Sequence, residues 1–212
     1  MYQPDSIASY KVAGKTYVVT ANEGDGREYG DYENESKISK LSLDSSLVDI
    51  YANENDLKVN NELGKIGDVY TELYSFGARS FSIWDDKGSL VFDSKNELAK
   101  LTSKFEPTLF NMDDGEMDGR SGNKGVEPEA LTVGEVNGKT YAFIGLERQS
   151  AIVVYDISTP EQSKFVRYID TKSSDISPEG MKFIKAEDSP TGAALLLVAF
   201  EMSGSTVVYE IK

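Results

Sequence analysis

Pro128-Glu129-Ala130-Leu131-Thr132-Val133-Gly134-Glu135-Val136-Asn137-Gly138-Lys139-Thr140-Tyr141-Ala142-Phe143-Ile144-Gly145-Leu146-Glu147 is the stretch whose reading decides the fold. Asn137-Gly138 separates two runs rich in β-branched and aromatic residues, and both tolerate the positive φ that a two-residue hairpin turn demands. The stretch reads as strand, tight turn, strand, closed by an acidic residue. Working outward, the unit recurs. Pro4-Asp5-Ser6-Ile7 leads to Ala13-Gly14-Lys15-Thr16-Tyr17-Val18-Val19 and Glu23, with the same distance from proline to closing glutamate. Pro178-Glu179-Gly180-Met181 leads, through a longer turn at Glu187-Asp188-Ser189-Pro190, to Leu195-Leu196-Leu197-Val198 and Glu201.

The second and third copies share a tail, Ile152-Val153-Val154-Tyr155-Asp156-Ile157 against Thr206-Val207-Val208-Tyr209-Glu210-Ile211, in the residue types of a strand. Lys164-Phe165-Val166-Arg167-Tyr168-Ile169 supplies a fourth strand to the second copy. Between the first and second copies, Ala78 to Trp84, a turn at Asp85-Asp86-Lys87-Gly88 and Leu90 to Asp93 form a divergent hairpin. Four antiparallel strands recurring every 40 to 50 residues or so mark a propeller blade. The expected fold is therefore all-β, a propeller or partial propeller of about four four-stranded blades at 4–60, 66–96, 128–170 and 178–212. The insertion at 97–127 reads as a short helix near Asn96 to Lys104 followed by a long acidic loop. Four blades close a ring only under strain, so a larger propeller, or a homodimer that completes the ring, is expected.

Composition narrows the chemistry. Lys plus Arg number 22 against 36 Asp plus Glu, a net charge of −14, which repels nucleic acid and anionic lipid. The chain contains neither Cys nor His, which removes thiolate metal sites, Cys nucleophiles and His-based triads. The longest apolar run, Ala193 to Phe200, is far short of the roughly 20 residues of a membrane-spanning helix. Direct membrane insertion is not expected. Met1-Tyr2-Gln3-Pro4-Asp5 has neither the basic start nor the apolar stretch of a signal peptide, so an export signal is expected outside this chain.

In a hairpin the start of the first strand and the end of the second lie at one edge. Asp5 should approach Glu23, Glu129 should approach Glu147, and Glu179 should approach Glu201. If the first strands line a common axis, the three pairs converge on one mouth, with Arg79 and Arg148 interleaved. Clustered carboxylates need cations or salt bridges, so Glu129, Glu147, Glu179 and Glu201 are candidate Ca²⁺ ligands; equally, each can brace a turn. A second candidate is the loop Asn111 to Gly119, where Asp114, Glu116 and Asp118 imitate the first half of a calcium loop, although Gly125 stands where its closing Glu belongs. A third is Asn22 to Glu28, where Glu23 and Asp25 could hold an ion or polar ligand.

Several segments together resemble the choice-of-anchor I family of bacterial surface propeller domains. They are Thr20-Ala21-Asn22-Glu23-Gly24-Asp25, Gly77-Ala78-Arg79-Ser80-Phe81-Ser82-Ile83-Trp84, Lys124-Gly125-Val126-Glu127-Pro128-Glu129, Gly145-Leu146-Glu147-Arg148 and Ser177-Pro178-Glu179-Gly180. The resemblance implies an exported protein, secreted or displayed on the bacterial cell surface, with further blades preceding this chain. Val126 stands where the family usually has proline, and Phe200 where Asn commonly precedes the Glu. Relatives are often labelled alkaline phosphatase-like. The expectation is a noncatalytic surface module that binds Ca²⁺ and, through it, an unidentified protein or small-molecule ligand. The alternative is a metal-dependent phosphoesterase in which Glu129, Glu147, Glu179 and Glu201 hold Ca²⁺ and Arg79 and Arg148 hold the phosphate.

Overall fold

A computed structural model describes residues 1–113, 115–171 and 174–212. It is all-β apart from short helical segments, and its long strands form three antiparallel sheets. The first sheet takes β1 (Ser6–Val12), β2 (Lys15–Asn22), β3 (Ser80–Asp85) and β4 (Leu90–Asp93), in that order. After α1 (Glu97–Phe105), the second takes β5 (Pro128–Val136), β6 (Lys139–Leu146), β7 (Ala151–Asp156) and β8 (Lys164–Asp170). The third has β9 (Pro178–Ile184), β10 (Ala194–Phe200) and β11 (Ser205–Ile211). The hairpin reading of residues 128–147 holds: Asn137 and Gly138 have φ of 52° and 74°, and Val136 pairs with Lys139.

Two expectations need correcting. The segments 4–60 and 66–96 do not make separate sheets, because β3 pairs with β2 from Tyr17↔Asp85 to Asn22↔Ser80 and completes the sheet that β1 and β2 begin. Residues 23–79 are an excursion between the second and third strands of one sheet. Its Asn-, Asp- and Gly-rich sequence supports only short ladders, such as Glu28–Tyr29 with Tyr32–Glu33 and Glu35–Lys37 with Lys58–Asn60. Such an insertion is tolerated because loop-closure entropy grows only slowly with length. The third sheet, moreover, has three strands rather than four.

One apolar core lies between the first and second sheets, where Phe81 meets Tyr155 edge to face at 4.7 Å and Leu98 and Leu101 of α1 are buried with them. A second lies between the second and third sheets, around Phe143, Phe183, Leu196 and Val198. Truncating a fully buried ring such as Phe81 to Ala should cost about 3–5 kcal/mol. Packed this way, the first strands adjoin one another: β1 contacts β5, and β5 contacts β9. That adjacency brings the acidic starts of the three sheets together.

Candidate functional site

The residue before each repeated proline adopts positive φ: 36° at Gln3, 47° at Glu127 and 62° at Ser177. Its carbonyl accepts a hydrogen bond from the far end of the second strand in every sheet. Gly24 N donates to Gln3 O at 3.1 Å, Glu147 N to Glu127 O at 3.0 Å, and Glu201 N to Ser177 O at 2.8 Å. Each hairpin is thus tied shut at its acidic edge. The sheets differ in register. β1 and β2 pair without interruption from Ser6↔Ala21 to Val12↔Lys15, whereas the ladder shifts between Pro128 and Leu131 and again between Pro178 and Gly180. A bulge re-aims a side chain off the regular alternation. Glu129 and Glu179 sit on these bulges.

Two groups of carboxylates result, in each of which one oxygen per residue lies within 4.8 Å of the others. One is Asp5, Glu23 and Glu129; the other is Glu23, Glu127 and Glu147. The second group is heavily neutralised. Glu127, fully buried, accepts from Arg120 Nε at 2.5 Å and Arg148 Nε at 3.0 Å, with Lys124 Nζ at 3.7 Å. Lys124 also donates to Glu23 at 2.9 Å and Asp25 at 2.7 Å, while Arg148 lies 3.4 Å from Glu147 and Arg120 3.4 Å from Asp113. Burial alone would raise Glu127, but Arg120, Glu147 and Lys124 hold its carboxyl below the usual carboxylate range. Burial would likewise lower Lys124, yet Glu127, Asp25 and Glu23 keep it above its ordinary value.

The first group lacks such compensation. Glu129 is 9% exposed, and its buried Oε2 has no hydrogen-bond partner. Burial, then the Glu147 charge and Glu179, push its carboxyl up to about 10. Burial, followed by Glu127, pushes Glu147 up to about 8, and burial also raises Glu23 against the pull of Lys124. Among the described residues, the ion pair to the Asp5, Glu23 and Glu129 group is that of Lys124 with Glu23.

Backbone contacts explain the motifs around the rim. A Cβ on Gly24 would stand 2.5 Å from Gly77 N, and one on Gly77 would stand 2.4 Å from Lys124 Cα. Three loops therefore stack with no room for side chains between them, which fixes Lys124 over Glu23. Arg79, itself at φ 59°, donates from one guanidinium nitrogen to Ser121 O at 2.6 Å and Asn123 O at 3.0 Å. It braces the 120–125 turn, and burial lowers its pKa.

Asp5, Glu23 and Glu129 are thus assembled with Glu147, Arg148 and Asp25, and Glu179 reaches Glu129 from the third sheet. Glu201 is not brought in: its side chain is exposed and belongs to neither group. Glu116 and Asp118 are also exposed. Asp113 and Glu116 exchange backbone hydrogen bonds in a tight turn, and the Asp118 carboxylate accepts from the Ser121 hydroxyl. Among the described residues, no group of metal-binding side chains contains Glu116 or Asp118; Asp114 lies outside the described residues. Sequence reasoning passed over Arg120, Lys124 and Glu127 as site residues. The signal available was the charged run directly before the repeated proline.

No helix among the described residues is long and apolar enough to cross a membrane, which says nothing of strands. Residues 1–160 match the family model described as the choice-of-anchor I domain. Gigasin-3a of Magallana gigas is 26% identical over 182 residues, covering 74% of this chain and 64% of that protein. The mesenchyme-specific cell surface glycoprotein of Strongylocentrotus purpuratus is 27% identical over 199 residues, covering 73% of this chain and 26% of that protein. The chain thus spans less than two thirds of the length of either curated relative.

Proposed function

The chain belongs to the choice-of-anchor I domain family, and from that premise we propose that it is a surface-associated propeller module whose acidic rim binds Ca²⁺ and through it a partner. The surface setting is supported by the family and by the name of the sea urchin relative. The propeller reading is supported by the adjacent first strands of the three sheets. The observation that carries the ion is the unpartnered Oε2 of Glu129, buried against Asp5 and Glu23.

The residues suit a hard cation. Ca²⁺ takes oxygen ligands at about 2.3–2.6 Å, so ligand oxygens on one ion lie no more than roughly twice that apart. Asp5, Glu23 and Glu129 meet this limit, and exposed Asp5 leaves one side open to water and ligand. Glu127 serves as the counter-charge that holds Lys124, Arg120 and Arg148 around the rim rather than as a ligand. The ion would supply the positive charge that the group lacks.

Titrating Ca²⁺ while following the melting temperature tests the reading, since an ion that binds only the folded state raises stability with its concentration. A rise at millimolar Ca²⁺, lost in Glu129→Gln while the variant remains folded by circular dichroism, is the expected result. An unchanged melting temperature in the unsubstituted chain would sink it.

A further inference from the structure

The excursion at residues 23–79 does more than interrupt the first sheet: with the turn at 120–125 it walls a cleft of about 280 Å³. Main-chain bonds pin the walls. Lys58 N donates to Gly122 O at 2.7 Å, Asn34 N donates to Arg27 O at 3.1 Å, and the buried Asn34 side chain accepts from Arg27 N at 2.7 Å. Gly26 lies against Glu35, where a Cβ would stand within 2.3 Å of the carboxylate oxygen Oε1. The cleft is therefore preformed. Among the described residues its lining is charged or amide apart from Gly26, whereas most small-molecule pockets are lined largely by apolar groups. An occupant has to be polar over most of its surface.

Four cations and four carboxylates line the cleft, and their partners divide them. Lys58 bonds Glu35 at 2.7 Å, Lys124 bonds Asp25 at 2.7 Å, and Arg120 is held by Glu127 outside the cleft. Among the described residues, Arg27, Glu28 and Glu33 make no ion pair. Glu28 stands directly opposite Glu33 in a ladder only two residues long, a juxtaposition of like charges that is destabilising until a cation compensates it. Asn123 lines the cleft as well, and its Oδ1 is buried without a partner. The unmet demand is for positively charged donors at Glu28, Glu33 and Asn123 and for a negative group at Arg27. A single metal ion does not meet it, because among the described residues no three carboxylates of the cleft come within 4.8 Å of one another.

We propose that this cleft binds a free α-amino acid with an uncharged polar side chain, its ammonium group received by Glu28, Glu33 and Asn123 Oδ1 and its carboxylate by Arg27. Charge selects the class. The lining sums to zero, so an occupant of zero net charge keeps the balance, and an ammonium and a carboxylate on one carbon supply both missing signs at once. An ammonium has three donors to give, one for each acceptor. A diamine would leave Arg27 without a counter-charge, and an inorganic anion would face Glu28 and Glu33. A sugar would take all three charges out of water without neutralising any, which is costly. The volume lies at the small end of ligand pockets and suits a single amino acid. Asp5 and Glu129 are not part of the lining, so the site stands apart from the Ca²⁺ group.

Isothermal titration calorimetry on the whole chain, with L-serine, L-threonine, L-asparagine and L-glutamine as probes, tests the proposal. At least one should bind with a dissociation constant on the order of 0.1–1 mM, with or without Ca²⁺. Arg27→Gln and Glu33→Gln should each weaken that binding about tenfold or more; both side chains are exposed, so circular dichroism should show both variants folded. Amidating the carboxylate or acetylating the amine of the bound probe should abolish binding. Glu54→Gln, exposed and outside the cleft, should leave it unchanged. The proposal is overturned if none of the probes binds at about 10 mM, if an amidated or acetylated probe binds as well as its parent, or if the Arg27 or Glu33 variant binds as the unsubstituted chain does. Tighter binding of D-glucose, putrescine or inorganic phosphate than of any amino acid would overturn it as well.

Discussion

Glu127 and Glu129 lie two residues apart, both buried at the start of β5, and their environments are opposite. Glu127 is enclosed by Arg120, Arg148 and Lys124; Glu129 faces Asp5, Glu23, Glu147 and Glu179 with an oxygen that nothing satisfies. Residue type and burial therefore do not separate a charge-paired carboxylate from an uncompensated one. Local neutralisation does, and the bulge between Pro128 and Leu131 is what divides the two fates. The comparison can be broken experimentally, because the two positions should respond in opposite senses.

The largest effect belongs to Glu127→Ala. Removing the carboxylate leaves three cations clustered without their shared partner, and breaking a buried ion pair from one side costs about 3–5 kcal/mol. Urea denaturation should show a loss of that size, whether or not Ca²⁺ is present. Glu129→Gln should instead leave the ion-free protein as stable as before, or up to about 1 kcal/mol more stable, because it removes the cost of holding this carboxyl protonated in the fold while it ionises in the unfolded chain. Equal losses at both positions would erase the distinction.

The pH profile sharpens it further. Glu147 and Glu129 have folded pKa values raised to about 8 and about 10 from an ordinary 4.5. Above pH 4.5 the unfolded chain gives up these protons while the fold retains them, so stability should fall as pH rises, through about 8 for the first and about 10 for the second. Glu127 is shifted the other way: its contribution is present above 4.5 and is lost as pH falls below that. Without Ca²⁺, thermal unfolding should therefore be most resistant near pH 5 and decline toward pH 9. With Ca²⁺, which binds the ionised carboxylates, the alkaline decline should flatten. A profile that rises from pH 5 to 9 without the ion would contradict the raised values.

How much of this could be read in advance follows from the range of each interaction. The hairpins were legible because a turn and its flanking strands are local: Asn137-Gly138 and the repeated proline-to-glutamate spacing were enough to place Glu129 near Glu147 and Asp5 near Glu23. The pairing of β3 with β2 was not, since residues 23–79 intervene and a strand's own alternation does not name its neighbour. The bulge at Glu129 and the reach of Arg120 and Lys124 into the rim were hidden for a similar reason. The second depends on the turn at 120–125, which is braced by distant loops at Gly77 and Arg79 rather than set by its own periodicity. Glu201 shows the converse error. It occupies the repeated position, but among the described residues its side chain is exposed and joins neither carboxylate group, so repetition alone did not bring it into the site.

The smallest expected effect is the one that best isolates location from charge. Glu201→Gln and Glu116→Gln each remove one carboxyl group, as Glu129→Gln does, and Glu129 is the one the ion-free fold keeps protonated, so any general attraction between an acidic protein and Ca²⁺ should weaken at least as much in the two exposed variants. A built site should not behave so. Both side chains are exposed and lie outside the carboxylate groups, and exposed substitutions of this kind stay within about 0.5 kcal/mol. The Ca²⁺-induced rise in melting temperature should therefore persist in both and vanish only in Glu129→Gln. If the three variants lose the same fraction of the response, the ion is held by diffuse charge, which salt at about 0.15 M should screen, and the distinction between Glu127 and Glu129 concerns stability alone.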